Sequence, residues 1–299
     1  MSNSDPYTLP VKRRKNLAFG LPKDAGRKEL VLKMKEGYAR SLSPKEVSTA
    51  DCKQNILKGD DIDINDMPVP KWHLWDGGRF INTFSPVITK DPDVGRYNMG
   101  IYRGMIAGKR HISNLLAPSQ GWGDHYTKLS YRKEPMKVAY VYGCNPLITI
   151  LAGSAHGRLV SEYDVYGGVT GEPLELVKCE TSDLLVPASA EIVIEATMSM
   201  DPKDFRMEGP FAEHCGYYGG AFSPKPTTKI DCITFKDDPK GRVVPLGCHM
   251  RRLNPRDSEL TLLTDVNIHR IIRRSSTFGP VYSEDVAPKD DAKGDRGLF

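Results

Sequence analysis

The chain has 299 residues, 39% hydrophobic and 27% charged, a globular composition with apolar residues enough for one large core or two ordinary ones. Its 42 basic and 38 acidic residues leave a formal charge of +4, too slight to argue for nucleic acid as a partner. No run approaches the length of a membrane span and no secretory apolar segment opens the chain, so a cytoplasmic protein with no membrane partner is expected.

Residues 1–25 are polar and rich in helix breakers, and the basic run Lys12-Arg13-Arg14-Lys15 reads as a solvated arm. Leu30, Met34 and Tyr38 recur at near-helical spacing and predict a helix over 27–41, closed by Ser43-Pro44 and followed by a second short helix. An acidic loop over 58–66 leads to Trp72-His73-Leu74-Trp75-Asp76-Gly77-Gly78-Arg79, where Asp-Gly-Gly is turn chemistry. Strands are expected over 80–89 and 97–106, and 112–116 should pair beside the second as an antiparallel hairpin around Gly108-Lys109. A helix is expected over 124–129, a buried strand over 138–141, and Asn145-Pro146 should open an apolar helix through Leu151.

After a breaker cluster over 167–173, central strands are predicted at 174–179, 191–198, 228–235 and 242–248. Leu262, Leu263, Val266, Ile268, Ile271 and Ile272 outline an amphipathic helix over 259–273, and a polar tail follows. Strands outnumber helices from 72 to 250 without alternating with them, so the expected class is α+β, a β-barrel core with flanking helices rather than a doubly wound sheet. The expected division is an arm with helices over 1–66, the barrel over 67–255, a linking helix over 256–278 and a tail over 279–299. The six cysteines, Cys52, Cys144, Cys179, Cys215, Cys232 and Cys248, form no CxxC pair and read as free thiols in a reducing compartment.

Two clusters could carry chemistry. In the first, Glu208 and Glu213 flank Gly209-Pro210 in a glycine-rich loop with Tyr217 and Tyr218, and Pro210 keeps them off a helix. Paired carboxyls in one site can hold different pKa values, one acid and one orienter. The same residues also fit a polar hairpin with solvated acids. Cys215 beside His214 is a weaker candidate nucleophile. The second cluster is Gly95-Arg96-Tyr97-Asn98-Met99-Gly100-Ile101-Tyr102-Arg103. As a strand it puts Asn98, Gly100 and Tyr102 on one face and Ile101 and Arg103 on the other. An inward Arg103 would need a carboxylate partner, for which Glu208 and Glu213 are candidates; a surface Arg at a strand end is the alternative.

Five runs in order resemble the UbiD family of decarboxylases: Thr89-Lys90-Asp91-Pro92, Asn98-Met99-Gly100-Ile101-Tyr102-Arg103, Ser161-Glu162-Tyr163, the run 171–181 from Gly171 to Thr181, and Glu208-Gly209-Pro210-Phe211-Ala212-Glu213. The resemblance covers about residues 72–235 and implies a flavin-binding split β-barrel that uses prenylated FMN, supplied by a flavin prenyltransferase, on a small aromatic, heteroaromatic or α,β-unsaturated carboxylic acid. It implies that Arg103 binds the substrate carboxylate, Glu208 holds Arg103, and Glu213 delivers the proton that replaces CO2. The flavin would supply the electron sink and the protein orientation and a proton. Asn98, Gly100, Ile101, Arg103 and Glu162 would hold the cofactor, with Asn98 and Glu162 as two oxygen ligands to Mn2+ and K+ as a further cation.

Two departures qualify that expectation. Gly121, in Ser119-Gln120-Gly121, stands where the family carries a third metal ligand, a His; His125 is the nearest substitute in sequence. Family members continue past the terminal amphipathic helix into a further domain, so the helix is expected to seek a partner, as a homo-oligomer or beside another subunit. The second reading is therefore an impaired or truncated relative that binds a partner chain.

Overall fold

The computed structural model describes residues 16–67, 69–154, 160–213 and 217–237. The segments predicted at 242–248 and 259–273, the polar tail, and His214 and Cys215 lie outside the described residues. In chain order the elements are helix α1 (Arg27–Ala39), strands β1 (Lys45–Val47), β2 (Asn55–Lys58), β3 (Phe80–Asn82), β4 (Pro86–Lys90), β5 (Tyr97–Ile101), β6 (Gly104–Ile106) and β7 (His111–Asn114), helix α2 (Gly121–Arg132) and strand β8 (Met136–Tyr142). Then come helices α3 (Pro146–Ala152) and α4 (Glu162–Thr170), strands β9 (Glu175–Lys178), β10 (Leu185–Pro187) and β11 (Ile192–Met198), the short strands β12 (Arg206–Glu208), β13 (Phe211–Ala212), β14 (Tyr218–Gly219) and β15 (Ser223–Lys225), and β16 (Thr227–Phe235).

The main sheet runs β3-β6-β7-β16-β11-β8-β4-β5, with β2 also on β16, and its pairings are antiparallel. Its order dictates its shape. Strands β5 and β6 are separated only by Tyr102 and Arg103, yet β5 ends the hydrogen-bonded path and β6 lies next to its other end. A residue spans at most about 3.6 Å, so the sheet must curl until its two edges nearly meet. The expected α+β barrel-like core is thereby present, with a seam where residues 102–103 cross from edge to edge. The single strands predicted at 80–89 and 97–106 are each two strands, because each crosses this seam.

Both faces of the sheet are buried. Along β8, Met136, Val138, Tyr140 and Tyr142 pack inside with Ile62, Ile112, Trp122 and Ile194. Ala139 and Val141 pack outside against Leu147, Ile148 and Leu151 of α3 and Val165 of α4. The interior tyrosines need partners for their hydroxyls: Tyr140 Oη lies 3.1 Å from Asn114 Oδ1 and 2.8 Å from Thr228 Oγ1, and Tyr142 donates to Asn82.

Other local expectations give way to packing. The second helix predicted after Pro44 is instead β1, drawn into a small sheet beside β9 and β10. That sheet also holds the strand predicted over 174–179, so that strand is not part of the central ladder. Strand β2, from the segment read as arm, pairs with β16 in the main sheet. The breaker cluster at 167–173 is partly helix, because Gly167 and Gly168 serve close packing: a Cβ on Gly168 would collide with the Gly37 carbonyl of α1, and one on Gly37 with Val169.

A prediction follows from that contact. Helix propensity alone would make Gly168→Ala stabilising by about 1 kcal/mol, whereas forcing a methyl into a packed helix crossing costs roughly 1–3 kcal/mol. The steric cost should win, and thermal unfolding should show a lower Tm for the variant. A raised Tm would mean that the α1–α4 crossing can open freely.

Candidate active site

The seam positions Arg103. Its carbonyl accepts from the Leu115 amide at 3.1 Å, fixing the backbone, and its side chain is only 9% exposed. A buried guanidinium needs carboxylates whose own desolvation is offset. Nε donates to Glu208 Oε1 at 2.8 Å and Nη2 to Glu208 Oε2 at 3.2 Å, a bidentate pair with a carboxylate that is fully buried. Nη1 donates to Glu213 Oε1 at 2.7 Å. Glu213 is a third exposed, so this second acid is the one that faces outward. The ring centroids of Phe80 and Phe211 lie 5.9 and 5.3 Å from the guanidinium carbon, within cation–π reach. Residues more than a hundred positions apart are thus one cluster, and the solvated-hairpin reading of the acids does not describe this chain.

The loop that carries the acids is held by local pairings. Glu208 ends β12, paired with β15, and Phe211–Ala212 pairs with Tyr218–Gly219. Glu213 donates its amide to the Tyr217 carbonyl at 2.7 Å. Gly209 adopts φ +83°, a conformation that side chains strain to adopt, and its peptide to Pro210 is cis.

A cavity of about 790 Å3 opens along β5. Asn98, Gly100, Ile101, Gly121, His125 and Glu162 are among its lining residues, while Arg103, Glu208 and Glu213 are not. The predicted site residues therefore form two groups, joined through residues 98–103. Burial pushes the Glu162 carboxyl up to about 7, partly offset by backbone hydrogen bonds, including the Met99 amide at 3.4 Å. At the far end, burial pushes Asp91 up, but Lys128 at 2.7 Å and the amides of Asp93 and Val94 outweigh it and hold the carboxyl below its usual range.

Position 121 bears on the expected metal site. Gly121 faces Asn98: a Cβ there would collide with Asn98 Oδ1. Asn98 in turn donates from Nδ2 to the Tyr102 hydroxyl at 3.1 Å, and Tyr102 stacks on Trp122 with centroids 4.3 Å apart. His125 does not fill the gap left by the missing ligand, since its Nδ1 lies 2.9 Å from Thr89 Oγ1 and its Nε2 is 3.8 Å from Asp91. Burial lowers its pKa below the ordinary imidazole value, outweighing the opposing pull of Asp91. Among the described residues no group of three His, Cys, Asp or Glu side chains is arranged to hold a metal ion. The donor set present does not fit the three-ligand divalent site that the resemblance implies. The cavity does fit an organic cofactor in size, since such sites measure about 300–1,000 Å3.

Sequence reading missed the strap 72–80 that packs under the acid loop. Asp76, read only as part of a turn, is fully buried there and accepts from the amides of Ala212 at 2.9 Å and His73 at 2.8 Å. An Asp before two glycines signals a turn and nothing about a partner 136 residues away.

The family model of the UbiD 3-octaprenyl-4-hydroxybenzoate carboxy-lyase Rift-related domain matches residues 45–247. The chain belongs to the UbiD family. Among curated relatives, this UbiD-family chain is 33% identical over 196 residues to ferulic acid decarboxylase 1 of Saccharomyces cerevisiae, covering 64% of this chain and 38% of that protein. It is 29% identical over 224 residues to pyrrole-2-carboxylic acid decarboxylase of Pseudomonas aeruginosa, covering 75% and 45%. The chain thus spans less than half the length of either. Among solved structures, the UbiD-class enzyme HmfF of Pelotomaculum thermopropionicum, an evolved dimeric form in complex with prFMN, superposes with a TM-score of 0.71 at 29% identity, covering 89% of this chain and 57% of that one. Vanillic acid decarboxylase of Sedimentibacter hydroxybenzoicus in its closed form gives 0.70 at 28%, covering 75% and 48%. No described helix is long and apolar enough to cross a membrane, and Cys52, Cys179 and Cys232 carry free thiols.

Two measurements test the site. Arg103→Met strands the buried Glu208 without a counter-charge and should cost about 3–5 kcal/mol. Glu213→Gln, at a partly exposed pair, should cost less than about 1 kcal/mol. Urea unfolding should resolve the difference, and equal losses would contradict the unequal burial of the two acids. Gly121→His, in which Asn98 must swing off the new Cβ, should bind Mn2+ more tightly than the unsubstituted chain in an electron paramagnetic resonance titration. Equal binding would mean that position 121 is not where the third donor belongs.

Proposed function

We propose that this chain carries the reacting residues for non-oxidative decarboxylation, or the reverse carboxylation, of an aromatic, heteroaromatic or α,β-unsaturated carboxylic acid on prenylated FMN. The observation that supports this most is the fork of Arg103 bracketed by a buried acid and a part-exposed one beside a cofactor-sized cavity. Asn98, Gly100, Ile101 and Glu162 would hold the cofactor against β5, with Arg103 beyond them at the seam. When bound, the prenylated flavin supplies the electron sink for the carbon that loses CO2.

The chain's own residues supply the rest. Glu208 keeps the Arg103 guanidinium in plane, so one edge of the fork is committed to orientation. The remaining nitrogen, Nη1, is taken by Glu213, and a substrate carboxylate binding there displaces that acid from the guanidinium. Glu213, the acid of the pair with solvent access, is then placed to hand a proton to the reacting carbon. Phe80 and Phe211 keep water off the fork and strengthen its hold on a carboxylate. The flavin comes from a flavin prenyltransferase, and the assembly is a homo-oligomer or includes a partner subunit.

The departure at Gly121 favours a second reading, an impaired relative that retains flavin poorly. Co-expression with a flavin prenyltransferase separates the two: a modified-flavin absorption spectrum in the purified protein supports the enzyme, and colourless protein supports the impaired relative. In cofactor-loaded protein, Glu213→Gln keeps the shape of the side chain but carries no transferable acid proton, so turnover should fall by a factor on the order of 10² or more. An unchanged rate would assign the proton to another group.

A further inference from the structure

The Arg103 cluster rests on a second, hidden carboxylate. Asp76 is fully buried, and its two oxygens face different segments: Oδ1 accepts the Ala212 amide at 2.9 Å, while Oδ2 accepts the His73 amide at 2.8 Å and lies 3.2 Å from His73 Nδ1. Ala212 is the residue immediately before Glu213, and Phe211, against which the His73 ring packs edge-on at 5.9 Å, immediately precedes it. The same strap holds the other half of the loop. Gly77 donates its amide to the Pro210 carbonyl at 2.8 Å, and a Cβ on Gly77 would collide with the Gly209 carbonyl, two residues from Glu208 at most. One short strap therefore grips the loop at 209, 210 and 212, between the two acids, and reaches past them where the Trp75 amide donates to the Tyr218 hydroxyl at 3.2 Å.

We propose that Asp76 is a positioning residue for the candidate active site, setting the distance between Glu208 and Glu213 so that both meet the guanidinium of Arg103. The physical reason is that a loop of alternating glycine, proline and short strand has little rigidity of its own, whereas a buried carboxylate that accepts two backbone amides from separate segments is costly to displace. Asp76 touches neither Arg103 nor either glutamate; its effect passes through the backbone at Ala212. The chemical importance of this role rests on the function proposed above, but the geometry does not.

The test reads the guanidinium directly, in the full chain and without cofactor. The Nε–H resonance of Arg103, assigned by its loss in Arg103→Lys, reports the 2.8 Å bond to Glu208. Asp76→Ala should speed exchange of that proton with solvent by roughly tenfold or more. Asp76→Asn can still serve one of the two amides and should give a smaller increase. Val193→Ala, a core truncation on the outer side of the sheet, should lower overall stability without moving the Arg103 signal. If Asp76→Ala does not fold, Asp76→Asn against Val193→Ala decides. Unchanged exchange in the Asp76 variants, or an equal change in Val193→Ala, would overturn the proposal. Should the loaded protein decarboxylate no aromatic, heteroaromatic or α,β-unsaturated acid while the exchange pattern holds, the proposed function fails and the positioning role stands.

Discussion

Everything at the candidate site depends on one guanidinium that cannot be left alone. Arg103 sits at the seam of a curled sheet, where β5 ends and β6 begins, and burial there is tolerable only because Glu208 meets it with two oxygens and Glu213 with one. The two acids differ in burial, Glu208 having no solvent access while Glu213 is a third exposed.

The seam explains why the candidate groups are here. A sheet whose edges almost meet has a line along which the ladder is incomplete, and backbone and side chains at that line turn inward without breaking hydrogen bonds elsewhere. Tyr102 and Arg103 occupy that line. Tyr102 faces the cavity, stacking on Trp122 and accepting from Asn98, while Arg103 faces the acid loop. Two consecutive residues thus link a cofactor-sized space to an acid pair, although neither acid lines that space.

Position 121 is where the resemblance implies a metal ligand and this chain carries glycine. The glycine leaves room that Asn98 occupies, and His125, one helical turn on, is already engaged with Thr89 and Asp91. The cavity wall carries the oxygen donors Asn98 and Glu162 together with Asp91 and Asp124, and a cofactor phosphate would meet charged residues that include Lys128, itself paired with Asp91 and Asp124.

The order of motifs, the strand-rich middle of the chain and the identity of Arg103, Glu208, Glu213, Asn98 and Glu162 as candidates are determined by sequence alone, because they rest on residue type, local periodicity and family pattern. Helix starts such as Asn145-Pro146 were legible for the same reason: the Asn145 side chain caps the Leu147 amide, two residues away. What only the tertiary structure decided are relations across long stretches of chain. The split of 97–106 into two strands follows from closure of the sheet, which no local window contains. Gly168 reads as a breaker until a helix crossing at Gly37 leaves no space for a Cβ. Asp76 reads as a turn residue until Ala212, far along the chain, donates its amide to it. Local signals encode what a segment prefers. The position of a buried charge is set by which distant segment can satisfy it, and that is known only when the chain has folded.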